Sequence, residues 1–117
     1  MLLLQKALKN GDIDLLTTLH QPSSPVNKEV AFFDASYGCE AIADAFPLYY
    51  TKLVRSGLIS MPDLVRMTST NPLNVINKES SAIEVGKPIE FIIVDTKDNI
   101  TVSNISSLYN GEKLYGS

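Results

Sequence analysis

Tyr37-Gly38-Cys39-Glu40-Ala41-Ile42-Ala43-Asp44-Ala45-Phe46-Pro47-Leu48-Tyr49-Tyr50-Thr51-Lys52-Leu53-Val54-Arg55-Ser56 carries the strongest helical signal in the chain. Ile42, Ala45, Phe46, Tyr49, Leu53 and Val54 recur at spacings that line one face of a helix. Pro47 has no amide hydrogen, so a kink or a split into two helices is expected at it. Gly57 stops the helix. Ser60-Met61-Pro62-Asp63 reads as a new start, with Ser60 as N-cap and Asp63 in the first turn. That helix carries Leu64, Val65 and Met67, and Asn71-Pro72 opens a further short one.

Outward from this core the pattern changes near residue 80. Ile89-Glu90-Phe91-Ile92-Ile93-Val94 is β-branched and aromatic, as strands are. Asp95 to Asn99 is a turn cluster, and Ile100 to Ser103 reads as a second strand. Ser106 to Tyr109 and Glu112 to Tyr115, joined across Asn110-Gly111, predict a β-hairpin with a type I′ turn. Upstream, residues 2–9 predict a short helix with Leu3, Leu4, Ala7 and Leu8 on one face, stopped by Gly11. Ile13 to Thr18 predicts a short buried strand. Leu19 to Asp34, with Pro22 and Pro25 flanking two serines, is a loop; loops this long in a compact domain are usually functional or mobile.

The 117 residues suffice for one domain with a modest core. With 44% hydrophobic and 20% charged residues the balance is globular rather than disordered. A net charge of −3 with no concentrated basic patch sets nucleic-acid binding aside. Cys39 is the sole cysteine, so no intrachain disulfide can form and a reducing, cytoplasmic setting is expected. Met1-Leu2-Leu3-Leu4 ends at Gln5-Lys6, too short for a leader or a span, and no membrane partner is expected. On that view Asn99-Ile100-Thr101 and Asn104-Ile105-Ser106 match a glycosylation sequon by chance.

Several short motifs occur in a fixed order: Asn10-Gly11-x-Ile13-Asp14, Thr18-Leu19-His20-Gln21-Pro22-Ser23, Ala35-Ser36-Tyr37-Gly38 and Phe46-Pro47-Leu48. Then come Thr51-Lys52-Leu53-Val54-x-x-Gly57-x-Ile59-Ser60, Ser69-Thr70-Asn71-Pro72, Ile83-x-Val85-Gly86-Lys87, Phe91-Ile92-Ile93-Val94-Asp95 and Gly111-x-Lys113-Leu114-x-Gly116. In order and spacing they resemble the C-terminal third of dihydroorotases, members of the amidohydrolase superfamily, over most of the chain. The resemblance implies an α+β segment: the last strand and helices of a (β/α)8 barrel, then strands of a small β-sandwich. Residues 1–80 would be the barrel end and 81–117 the sandwich strands, in one compact unit.

The resemblance also implies a parent reaction, the reversible ring closure of N-carbamoyl-aspartate to dihydroorotate, with zinc activating water and polarising the amide carbonyl. The family's motif at the end of strand eight runs threonine, aspartate, histidine, alanine, proline, histidine. Its metal-binding, proton-shuttling aspartate falls on Leu19, which can do neither. Its second histidine, which contacts the substrate carboxylate, falls on Ser23. His20, Ser23 and Gly38 hold family substrate-binding positions. The remaining ligands belong to earlier strands that this chain does not contain.

No catalytic residue, no metal ligand set and no cofactor are therefore expected for this chain, because a hydrolytic zinc site needs at least three ligands. Each remaining candidate also has a plain structural reading. His20 reads as a loop histidine, Gly38 as a turn glycine and Cys39 as a small buried residue without a general base. Asp12 and Asp14 read as turn caps, Tyr49 and Tyr50 as packing residues, and Asn27-Lys28-Glu29 as solvated loop. The leading expectation is a non-catalytic dihydroorotase-like segment with a structural or interaction role. It would self-associate or bind a barrel-bearing partner chain through apolar faces at Phe46, Tyr49, Leu53, Leu64, Phe91 and Ile93. One half of a split cyclic-amide hydrolase is the alternative, and a piece cut from a longer protein is a third reading.

Overall fold

A computed structural model describes residues 2–38, 40–79, 83–103 and 109–117. Cys39, the Asn104 sequon and most of the predicted strand from Ser106 lie outside the described residues. The architecture is a small α+β one: α1 (Leu2–Asn10), α2 (Ala45–Tyr49), α3 (Met61–Val65), α4 (Asn71–Val75), β1 (Asn99–Thr101) and β2 (Lys113–Tyr115). Contacts sort the chain into two compact units. One holds residues 1–17 and 52–94, the other residues 18–51 and 95–117.

In the first unit α1 ends as expected, with Gly11 at a φ of +80°. That left-handed conformation costs glycine least. Ile13 to Thr18 does not form the expected strand. Its backbone is held singly, by the Leu16 amide on the Met67 carbonyl and by Asp14 O accepting from Asn71 Nδ2. Neither neighbour is itself a strand, so no ladder can build.

The run from Met61 to Val75 is the best-formed part of this unit. Ser60 and Asp63 make a reciprocal capping box: the Ser60 hydroxyl accepts from the Asp63 amide, and the Asp63 carboxylate accepts from the Ser60 amide. A π-helical turn, Arg66–Thr70, joins α3 to α4 without a break. Thr68 donates its hydroxyl to Leu64 O inside this stretch. Leu64 and Met67, three apart on the helix, are fully buried, and Ile59 of the same unit is buried as well. Asn77 closes the run at a φ of +55°, a left-handed cap that asparagine tolerates better than most residues.

The stretch Ile89–Val94, expected as a strand, has no ladder partner among the described residues. Phe91, Ile92 and Ile93 are exposed, Ile93 at 86%. A strand's amides and carbonyls need a neighbouring strand, and the described residues of this unit offer none.

In the second unit α2 begins at Ala45, later than the periodicity suggested, and residues 42–44 are turns. Pro47 therefore sits in the first turn, where amides have no helical acceptor, and it starts the helix rather than kinking it. A π-helical turn, Tyr50–Val54, continues the run. The two-stranded sheet is antiparallel, with Asn99 opposite Tyr115, Ile100 opposite Leu114 and Thr101 opposite Lys113. The partner of β2 among the described residues is thus β1, and the predicted 106–109 segment lies mostly outside them. Asn110 keeps a negative φ while Gly111 is at +84°, the signs of a type II turn rather than type I′.

Leu114 and Val102 are buried in this unit. Thr51 ties α2's continuation to the sheet: its hydroxyl accepts from the Tyr115 amide at 2.7 Å and donates to the Tyr115 carbonyl at 3.4 Å. Gly116 permits the close approach. A Cβ there would stand 3.0 Å from the ring of Tyr50, which lies parallel to Phe46. Asp95 nucleates the turn before β1 by accepting from the Lys97 and Asp98 amides.

Candidate functional site

All four positions singled out by the sequence lie in the second unit, on two stretches that meet, 18–24 and 36–42. Thr18 begins the first by accepting the His20 amide at 3.3 Å through its hydroxyl. Between them Leu19 takes a φ of +42°, one of two non-glycine residues with positive φ among the described residues. A branched aliphatic side chain gains nothing from that conformation, and Leu19 is 78% exposed, so burial does not offset the strain. Asparagine and aspartate adopt it far more readily.

His20 lies on the surface, yet it is engaged. Its Nδ1 accepts from the Ala41 amide at 3.1 Å and the Ile42 amide at 3.3 Å. Nothing in the sequence announces this contact, since the partners are main-chain groups 21 and 22 residues away. Ser23 is half-buried near the end of the same stretch, just before a 3-10 turn over Pro25–Asn27.

Gly38 stands on the facing stretch with a φ of +86°. A Cβ there would lie 2.6 Å from Gln21 Cβ and 2.9 Å from Gln21 O. The glycine is needed twice over, for its conformation and for the close seating of Gln21. The loop between the two stretches is closed by the Ser36 amide on Asn27 O. The Lys28 ammonium, expected to be merely solvated, donates to the carbonyls of Ser36 and Gly38. At its far end Phe32 and Phe33 pack edge to face and are exposed, Phe33 at 95%.

The donor set does not suit zinc. Leu19 offers no lone pair, and the Nδ1 of His20 faces two amide hydrogens. Among the described residues, no three His, Cys, Asp or Glu side chains gather where a metal could be held. The two carboxyls with displaced titration lie elsewhere. Asp63 is held low by the Ser60 hydroxyl and amide, and Asp98 by the Ser117 hydroxyl and the Asn99 amide. Asp12 and Asp14 precede the first stretch and belong to the other unit. No described helix is long and apolar enough to cross a membrane.

No family model matches the chain. Individual relatives do. A dihydroorotase of Elusimicrobium minutum is 35% identical over 120 residues, covering 97% of this chain and 28% of the relative. A probable dihydroorotase-like protein of Helicobacter pylori is 34% identical over 113 residues, again 97% of this chain, and 29% of its own length. A dihydroorotase of Ruminiclostridium cellulolyticum is 36% identical over 118 residues, 95% of this chain and 28% of the relative. The chain spans a little over a quarter of the length of these relatives.

Proposed function

Because this chain is a segment of the dihydroorotase family, we propose for it a non-catalytic role, structural or in interaction. It would correspond to the C-terminal end of the family's barrel and its adjoining sandwich strands. It would stand in the lineage of pyrimidine biosynthesis without performing the ring closure. The observation that carries this reading is Leu19. It sits in a left-handed conformation suited to aspartate, at the position where the resemblance puts the family's metal-binding aspartate. An alkyl group there can neither ligate zinc nor carry the proton. The sole cysteine, Cys39, fits a cytoplasmic pseudoenzyme.

The test is an assay of the purified chain with dihydroorotate and with N-carbamoyl-aspartate, alongside elemental analysis. Turnover stays at background and no stoichiometric zinc is found. Leu19→Asp does not restore either, because one carboxylate does not complete a ligand set. One zinc per chain, or turnover above background, overturns the reading.

A partner is the second part of the proposal. Leu2, Leu3 and Leu4 on α1 and Phe91, Ile92 and Ile93 downstream are all exposed, and runs of exposed apolar side chains favour association. Leu64, expected to contribute to such a face, is instead buried inside the chain's own fold. Association therefore rests on the leucines of α1 and on Ile89–Val94, either between copies or with a chain that bears the rest of a barrel. A split cyclic-amide hydrolase is the form the second partner would take. Light scattering of the chain, alone and with the remaining three quarters of a relative, distinguishes these; a stable monomer in both samples removes the association.

A further inference from the structure

We propose that His20 is a pH-sensitive latch: its neutral imidazole holds the backbone at Ala41 and Ile42, and protonation releases it. The proposal rests on which atom makes the contact. Both amides donate to Nδ1, at 3.1 and 3.3 Å. An imidazole nitrogen accepts only through a lone pair, so Nδ1 is unprotonated and the ring hydrogen is on Nε2. An imidazolium carries hydrogen on both nitrogens. Two amide hydrogens would then face a third hydrogen and a positive charge, and the contact becomes repulsive. Imidazole is the side chain whose protonation ordinarily changes under mild acidity, so the device has a natural trigger.

The contact acts on one stretch of chain. Both the seating of Gly38 on Gln21 and the imidazole hold residues 36–38 and 40–42 to residues 18–24. The first is steric and indifferent to pH. The Lys28 ammonium on the Ser36 and Gly38 carbonyls reinforces that same end. The imidazole reaches the part of the stretch nearest α2. The charged groups around it are few. Thr18 to Ser24 has none besides His20, and the facing stretch up to α2 has Glu40 and Asp44. Glu40 is the nearer of the two to Ala41 in sequence. Release is expected to free residues 41 and 42 while Gly38 stays seated.

Hydrogen exchange of the full chain, read as protection factors so that the intrinsic pH dependence of exchange divides out, tests this. Protection at the Ala41 and Ile42 amides is expected to be roughly fivefold higher in mild alkali than in mild acid, the factor set by about one net hydrogen bond. The amides of α3 should show no such step. His20→Asn supplies a side-chain oxygen that accepts but does not titrate, so protection stays high throughout. His20→Ala gives low protection throughout. A wild-type profile without the step overturns the latch, and so does a His20→Asn protein that keeps it. Should His20→Ala fail to fold, the wild-type and His20→Asn profiles decide alone.

Discussion

The helical run Met61–Val75 and the stretch Ile89–Val94 belong to the same compact unit, and both are rich in large apolar side chains. Leu64 and Met67 are fully buried, while Phe91, Ile92 and Ile93 stand exposed. The stretch with the denser run of apolar residues is the one left open. A helix satisfies its amides and carbonyls within itself, so a cap and one apolar face are enough to build it. A strand satisfies only half of its requirement and waits for a neighbour to supply the rest. Hydrophobicity drives burial in both, but only the helix can be completed by residues close in sequence.

The sharpest test of that contrast pairs two alanine substitutions. Leu64→Ala is expected to destabilise the chain by about 2–5 kcal/mol, the usual cost of a cavity in a core. Ile93→Ala, on an exposed side chain, should change stability by no more than about 0.5 kcal/mol. Denaturant titration reads both. Equal losses would mean that Ile93 is packed, and the contrast would fail.

Proline probes the backbone in place of the side chain. Val65→Pro should cost about 3 kcal/mol in a helix interior. Ile92→Pro should cost about 0.5 kcal/mol or less, because no ladder bond is there to lose. In the presence of a bound partner Ile92→Pro should become disruptive, and a binding assay with that variant separates strand addition from other modes of association.

Ser60→Ala removes one half of the capping box and should cost about 1 kcal/mol, seen as a lower midpoint in the same titration. The smallest effect concerns pH. Hydrogen bonds from the Ser60 hydroxyl and amide hold the Asp63 carboxyl below its ordinary value of 3.8. A carboxyl lowered by folding contributes stability above its unfolded value and loses it as pH falls through the folded one. Stability should therefore decline slightly as acid is added below about pH 4, and Ser60→Ala should flatten that decline. A slope unchanged by the substitution would show that Asp63 is not its source.

Helix stops and the start of α3 were the most legible features, because each is written in adjacent residues; the start of α2 was not. Gly11, Gly57 and the Ser60–Asp63 box stand where the sequence put them. Pairing was not legible. Lys113–Tyr115 pairs with Asn99–Thr101, beyond the nearest turn signal at Asn110-Gly111, and nothing in adjacent residues announces that partner. Ile13 to Thr18 had the right composition for a strand but faces helical neighbours. At the candidate site, Leu19 drew notice only through the resemblance, and its left-handed backbone was not legible. Gly38 was legible as a glycine needed by a turn; its contact with Gln21 depends on chain folding back over many residues. The imidazole contact of His20 ends on main-chain amides, which have no side-chain signature at all.

Lys28 spends its ammonium on the carbonyls of Ser36 and Gly38, and this has a chemical consequence. An amine engaged in this way is a poor nucleophile, so amine-acylating reagents should modify Lys97 well before Lys28. Once acylated, Lys28 has no charge and a single donor. The loop that carries Phe32 and Phe33 would then lose its clasp, and chymotrypsin, which cuts after aromatic residues, should find it first. Acylation followed by brief digestion would thus convert a hydrogen bond into a band on a gel.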